Sequence, residues 1–323
     1  MNTVRWGIIG CGDVTEVKSG PGFQKAEGSA LVAVMRRDRA KAEDFARRHN
    51  VPRVHTHADD LIADPEVDAV YVATPPSTHC ELSLRAAAAG KPCLVEKPMA
   101  MEHGECLRMV EAFRGAAVPL WVAYYRRALP RYTAVRDLLA GGAIGRVTSA
   151  RVEVMDRLAT GDQAAAWRFD PAVAGGGLLL DVGSHCVDLL DYLLGEIVEV
   201  AGFSVNTGGT YAVEDVTAAS FRMAGGVIGT GIWNFNAGDK RDGMVLLGSL
   251  GELRVPLFHE DDIVVSTPQG ETVHPIRNPP HVHQPLIQTI VDELHGRGRC
   301  ESTGESGARA TRVLDLCLRR SLV

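Results

Sequence analysis

The stretch that decides the fold is Val4-Arg5-Trp6-Gly7-Ile8-Ile9-Gly10-Cys11-Gly12-Asp13-Val14-Thr15. Its first half is a compact apolar run, the pattern of a strand buried on both faces of a parallel sheet. Its second half is a glycine turn where strand gives way to helix. The first glycine permits a tight turn. The second lets the backbone approach a pyrophosphate, whose charge the exposed amides and the helix N-terminus stabilise. Thr15 stands where G-x-G-x-x-G has its third glycine, so the match is partial. An ordinary strand–helix turn could use the same residues, and it is the position at the first such junction that favours a dinucleotide. Gly20-Pro21-Gly22 predicts that the first helix is short or irregular.

Outward from this stretch, apolar runs at 4–9, 30–35, 53–56, 68–73, 92–96 and 119–124 alternate with helical patterns at 38–49, 77–89 and 102–114. Strand–helix alternation of this kind predicts a doubly wound α/β domain. After about residue 125 the pattern changes. Helices are expected at 129–140 and 184–194, and strands at 146–155, 197–205, 214–223, 227–235, 243–248, 251–255 and 262–266. Consecutive strands without intervening helices indicate a largely antiparallel sheet. Two helices, at 282–295 and 304–320, close the chain. The expected organisation is an α/β domain over 1–125 and an α+β domain over 126–323, with helices 282–320 free to pack back on the first domain.

Composition excludes several classes of function. The 323 residues carry a net charge of −6, are 46% hydrophobic and 23% charged, the balance of an ordinary globular protein and not of a disordered one. An acidic balance without a basic run argues against nucleic acid, whose phosphates need a basic face. No apolar stretch is expected to approach the roughly 20 residues of a membrane span, and no leader pattern opens the chain. Seven scattered cysteines without C-x-x-C spacing read as reduced thiols of a cytoplasmic protein.

Several residues carry candidate chemistry. Arg36-Arg37 follows the second strand, where an acidic residue would favour NAD and arginine accommodates the 2′-phosphate of NADP. NADP(H) is therefore the preferred cofactor and NAD(H) the alternative, since Asp38, also a helix cap, could reach the ribose. Thr74-Pro75-Pro76-Ser77-Thr78-His79 follows the fourth strand, beyond whose carboxyl end a ligand should lie, with His79 read as a surface or packing residue. Glu96-Lys97-Pro98 follows the fifth. There Lys97 could hold a substrate oxygen, or simply be solvated, and Pro98 could follow a cis bond. Gly175-Gly176-Gly177-Leu178-Leu179-Leu180-Asp181-Val182-Gly183-Ser184-His185 is the richest stretch. Asp181 and His185 are four apart and share one face of a helix, and histidine can exchange a proton with a substrate hydroxyl near neutrality. The alternative is a helix capped by Ser184 with a partly buried His185. Asp188 and Asp191 read as surface or capping carboxylates. His274, His281 and His283 lack supporting ligands at a useful spacing, so no metal is assigned.

Taken in order, Gly10-x-Gly12, Ala73 through His79, Glu96-Lys97-Pro98, Tyr124-Tyr125-Arg126-Arg127, Trp167-Arg168 and Gly175 through His185 resemble the glucose–fructose oxidoreductase, inositol dehydrogenase and rhizopine-catabolism family, Gfo/Idh/MocA. The resemblance spans nearly the whole chain. It implies a Rossmann-type dinucleotide domain and an α+β domain whose open sheet makes a homodimer or homotetramer. It places the cofactor on Gly10, Gly12, Asp13, Val14, Arg36, Arg37, Thr74, Pro75, Glu96 and Lys97, with Trp167-Arg168 closing over the site. It implies catalytic roles for Lys97, Asp181 and His185, and makes Tyr125, Arg126, Arg157 and Arg168 candidate substrate contacts beside those three. The implied reaction is reversible hydride transfer between nicotinamide and a hydroxyl or ketone carbon of a sugar, cyclitol or related polyol. The alternatives are a glycosidase or lyase cycling a tightly held NAD(H), and a non-catalytic dinucleotide sensor.

Overall fold

The opening apolar run forms β1 (Val4–Ile9), every residue of which is buried except Arg5. Around it β2 (Ser29–Met35), β3 (Arg53–His55), β4 (Ala69–Val72), β5 (Cys93–Val95) and β6 (Leu120–Val122) complete a parallel sheet in the order β3-β2-β1-β4-β5-β6. The order reverses between β1 and β4, the point at which open α/β sheets bind dinucleotides. The connections are α1 (Gly20–Lys25), α2 (Arg39–Arg48), α3 (Ala58–Ala63), α4 (His79–Ala88) and α5 (His103–Gly115). Asp38 caps α2 by accepting the Lys41 N–H at 3.2 Å. The first crossover is irregular, as Gly20-Pro21-Gly22 predicts: a π-turn over Thr15–Ser19 runs into the six residues of α1. Phe23 of α1 packs between Trp6 and Tyr71, at centroid distances of 4.8 and 5.2 Å.

This computed structural model describes residues 3–163 and 166–319, and they cluster into two units. The first unit runs to Leu129 and takes back Pro279–Ala308, including α9 (Gln284–Leu294). The returning segment is bonded into the edge of the sheet, where Ser302 Oγ donates to the Val122 carbonyl at 2.6 Å. The last helix, α10 (Gly304–Arg319), belongs to the first unit only up to Ala308, so the terminal helices do not share one assignment.

The second unit, which begins at Pro130 with α6 (Pro130–Ala140), holds β7 (Val147–Met155), α7 (Pro171–Ala174), α8 (Ser184–Leu194), β8 (Ile197–Val205), β9 (Val216–Met223), β10 (Ile228–Asn234), β11 (Arg241–Gly248), β12 (Glu252–Val255), β13 (Ile263–Thr267) and β14 (Gly270–His274). The sheet order is β14-β13-β12-β11-β7-β10-β9-β8, antiparallel at every pairing except β7 with β10. Along β8 and β9 buried and exposed residues alternate, so one face is core and the other meets solvent. The stretch Pro171–Leu194 is long and apolar enough to cross a membrane, with a mean hydropathy of 1.3, which corrects the expectation that nothing approaches that length. It is 72% buried inside the unit, as a core helix is.

Candidate active site

The cofactor half of the site is built by the loops after β1 and β4. Gly10 sits at φ +94°, a conformation that glycine adopts without strain, and its N–H bonds the Met35 carbonyl at 2.9 Å. A Cβ on Gly10 would lie 2.8 Å from Thr74 Cγ2 and 2.9 Å from the Ala73 carbonyl oxygen, so the two loops meet there. At Gly12 a Cβ would meet nothing within 4 Å, which leaves open the approach a pyrophosphate needs. Thr15, in the third-glycine position, is fully buried and donates its hydroxyl to the Gly12 carbonyl at 2.6 Å. Asp13 is exposed and Val14 half-buried at the rim. Arg36 turns back to the same loop and donates to the Cys11 carbonyl at 3.0 Å, whereas Arg37 is exposed. A dinucleotide's phosphates fit this cradle, and bound there it supplies the hydride-carrying ring.

Beyond β4, Thr74 accepts the Thr78 hydroxyl at 2.7 Å, and Pro75 leads into a short 3-10 turn over Pro76–Thr78. His79 is wholly buried, with Nε2 2.7 Å from the Thr74 carbonyl and Nδ1 2.9 Å from that of Pro98. A neutral ring has one N–H and donates to one of the two carbonyls, and burial pushes its pKa down. His79 therefore ties the loop after β4 to the loop after β5, which makes it a packing residue of that junction and not a surface one.

Lys97 leaves the carboxyl end of β5, and the Lys97–Pro98 bond is cis. Glu96 faces inward. Its Oε1 accepts the Tyr71 hydroxyl in a short bond and its Oε2 accepts the Lys97 N–H at 3.1 Å. Burial pushes the Glu96 carboxyl up and the Tyr71 phenol up. His283 Nδ1 lies 3.9 Å from Glu96 Oε1, and its ring packs at 4.5 Å on that of Tyr125. The Arg126 guanidinium lies 5.3 Å over the other partner of this stack, the Tyr125 ring. Tyr125, Arg126 and His283 are all buried.

In the second unit the structure brings Trp167, Arg168 and Asp181 together. The Arg168 guanidinium lies 4.6 Å over the Trp167 ring, and its Nε is 3.2 Å from Asp181 Oδ2. Trp167 is 41% exposed. Asp181 lies in a π-turn over Leu179–Gly183 that runs directly into α8, so it and His185 do not sit on one regular α-helix. Turns of this type recur at functional sites. His185 is buried, its ring edge-on to Phe258 at 6.4 Å. Ser184 is not the cap expected of it: it is buried within the helical run, 3.4 Å from the Asp181 carbonyl. Asp188 and Asp191 are buried rather than superficial, and Asp191 takes both arms of Arg309 at 2.8 and 2.7 Å. Arg157 is exposed just past β7, its own N–H on Asp156.

Sequence reasoning missed Tyr71, and it weighed His283 only as a metal ligand. Tyr71 is hidden in an apolar run. His283 precedes α9, whose return to the first unit the sequence allows, but no local pattern announces the contacts of His283 with Glu96 and Tyr125. Among the described residues no group of three His, Cys, Asp or Glu side chains could hold a metal ion.

A glycine cradle at the reversal point of a parallel sheet, with further loops at the carboxyl ends of β4 and β5, is the arrangement of a dinucleotide-binding domain. Residues 4–124 match the oxidoreductase family with an NAD-binding Rossmann fold, and residues 132–254 match the GFO/IDH/MocA C-terminal domain. An oxidoreductase of Formosa agariphila is 37% identical over 316 residues, 97% of this chain and 98% of that one. The 1,5-anhydro-D-fructose reductase of Ensifer adhaerens is 30% identical, covering 94% and 92%. Levoglucosan dehydrogenase in complex with NADH and levoglucosan superposes with a TM-score of 0.88 at 22% identity, covering 99% and 97%. The chain belongs to the Gfo/Idh/MocA oxidoreductase family. It is an enzyme, and its first unit is an NAD-binding Rossmann domain.

Proposed function

We propose that this enzyme is an NADP(H)-preferring dehydrogenase or reductase that interconverts a hydroxyl and a carbonyl on a polyhydroxylated small molecule, a sugar, cyclitol or related polyol. The observation that carries the reading is the open cradle at Gly12, set on β1 where the sheet order reverses. In this mechanism His185 exchanges the hydroxyl proton, and Lys97 and Asp181 hold and polarise the substrate oxygen. Glu96 fixes the Lys97 backbone, since its carboxylate accepts the Lys97 main-chain N–H. Arg168 sets the orientation of Asp181 and, with Arg126 and Tyr125, contributes to substrate binding. The NADP preference rests on Arg36 and Arg37 at the end of β2, of which the exposed Arg37 is the one to meet a 2′-phosphate. The names of the relatives make 1,5-anhydro-D-fructose and levoglucosan the first substrates to try. All seven cysteines are buried thiols, which supports work in a reducing cytoplasm.

The test is a screen of sugars, anhydrosugars and cyclitols with NADH and with NADPH, followed through the nicotinamide absorbance, together with the dissociation constant of each cofactor. Turnover with tighter NADPH binding is expected. Tighter NADH binding overturns the cofactor preference, and cofactor that copurifies in stoichiometric amount without net change during turnover favours the internal redox cycle of a lyase or glycosidase.

A further inference from the structure

We propose that Glu214 is a positioning residue for the helical segment carrying Asp181 and His185, and that it acts through the Gly177 amide. The proposal rests on the reading of Asp181 and His185 as the substrate-handling pair. Gly177 is the last glycine of the triple-glycine run, and its N–H is bonded to Glu214 Oε1 at 2.8 Å. Its carbonyl in turn accepts the N–H groups of Leu180 at 3.1 Å and Asp181 at 3.4 Å. One residue, Gly177, thus joins the Glu214 carboxyl on its N–H to the backbone of Asp181 on its carbonyl, and the Asp181 side chain meets Arg168. The approach is close: a Cβ on Gly177 would stand 2.4 Å from the Glu214 carbonyl oxygen and 3.0 Å from Oε1. Glycine is needed there because the loop between β8 and β9 presses on it.

That loop is a firm base. Asp215, wholly buried, accepts the Thr207 N–H at 2.8 Å, the Thr207 hydroxyl at 2.9 Å and the Gly208 N–H at 2.7 Å. Its own backbone is bonded to Val205 and Phe235. Glu214 projects from this base onto the glycine turn. Burial pushes its carboxyl up to about 7, and the charge of neighbouring Asp215 adds to that, while the Gly177 N–H and Glu214's own N–H favour the ionised form. Tyr211, on the same loop, is pushed up to about 12 by burial and by the charges of Asp215 and Glu214. On the other side of the contact stands the Gly177 N–H, with Asp181 and Arg168 beyond it. An ionised carboxylate accepts a hydrogen bond more strongly than a protonated one. The hold on Gly177 therefore tightens as pH rises through neutrality, and Asp181 is set most firmly in place above that point.

The experiment compares the full chain with Glu214→Gln, which keeps the shape and an acceptor oxygen but cannot ionise. The amide shifts of Gly177 and Asp181 are followed by NMR from about two pH units below to about two above neutrality. In the parent both move with a common midpoint near 7, and in Glu214→Gln both are flat while the rest of the spectrum is unchanged. A Gly177 shift that does not titrate, or one not transmitted to Asp181, overturns the proposal whatever the substrate. With the sugar turned over fastest in the screen, both proteins keep the pH dependence that His185 imposes, and kcat gains about tenfold more through the midpoint in the parent than in Glu214→Gln, with KM for cofactor the same in both. Identical pH profiles overturn the positioning role. If no sugar is turned over, the proposed reaction fails, and the amide shifts still decide the contact.

Discussion

A lysine at the end of a strand is ordinarily a solvated charge, and what sets Lys97 apart is the buried Glu96 carboxyl that accepts its main-chain N–H. Lys97→Ala and His185→Ala should each lower turnover by about 10²–10⁴-fold, the usual size of a general acid–base contribution, while dinucleotide still binds. Steady-state rates beside fluorescence titration of cofactor check this, and undiminished turnover in both variants would refute the assignment. His283 makes a separate prediction about stability. Burial, and the charges of Lys18, Lys97 and Arg126, push its pKa down to about 3. Unfolded, it titrates near 6.5. Between those values the unfolded chain binds a proton that the folded chain refuses, so stability falls as pH drops below about 6.5, and that loss is complete only near 3. The Glu96 carboxyl, pushed up by burial, runs the opposite way, so the contrast between protein and variant is the measure. In His283→Gln the urea midpoint should fall less on acidification than in the parent. Parallel curves would contradict a neutral His283.

At the scale of elements, the two glycines of the β1 loop should separate stability from binding. Gly10→Ala strains a residue at φ +94° and drives a methyl against Thr74 and Ala73, which should cost about 1–3 kcal/mol of stability as well as cofactor affinity. Gly12→Ala meets open space, so the urea midpoint should hold while dinucleotide affinity falls by about tenfold or more. Unaltered affinity in Gly12→Ala would mean that no pyrophosphate lies on that turn. These loops were legible from sequence because the signals are local: an apolar run, a glycine pair and a capping Asp38 sit within a few residues of one another. The same locality explains the misses. β14, Gly270–His274, is an exposed polar edge strand that, among the described residues, pairs with β13 alone, and it offers no apolar run. The π-turn at Leu179–Gly183 has the composition of an ordinary helix, so a regular spacing from Asp181 to His185 was the natural expectation. Glu96 follows the same logic: its place in the Glu-Lys-Pro triplet suggests a cofactor contact, and only the fold reveals that Tyr71 on the adjacent strand claims its carboxyl.

At the scale of the whole molecule, the solvent face of the second sheet carries exposed apolar side chains. Phe203 and Val205 on β8, Ile228 on β10 and Leu247 on β11 are 78%, 52%, 49% and 41% exposed. Register places them on one face, since Phe203 pairs with Ala218, which pairs with Ile232, and Ile228 pairs with Ser149, which pairs with Leu247. Charged pairs lie among them, Glu199 with Arg222 and Arg151 with Glu153 at 3.6 Å. An apolar patch interleaved with paired charges suits a self-complementary contact between two copies, in which each patch covers the other. The face carries few charges of one sign, so the overall −6 balance does not prevent such pairing. The enzyme should therefore sediment as a dimer or tetramer. Phe203→Asp should shift it toward the monomer and leave the thermal midpoint of the isolated chain nearly unchanged, because the Phe203 side chain contributes little to its own core. A parent protein that is already monomeric at micromolar concentration, or a Phe203→Asp variant with the parent's mass, would show that this face serves something other than a second copy of the chain.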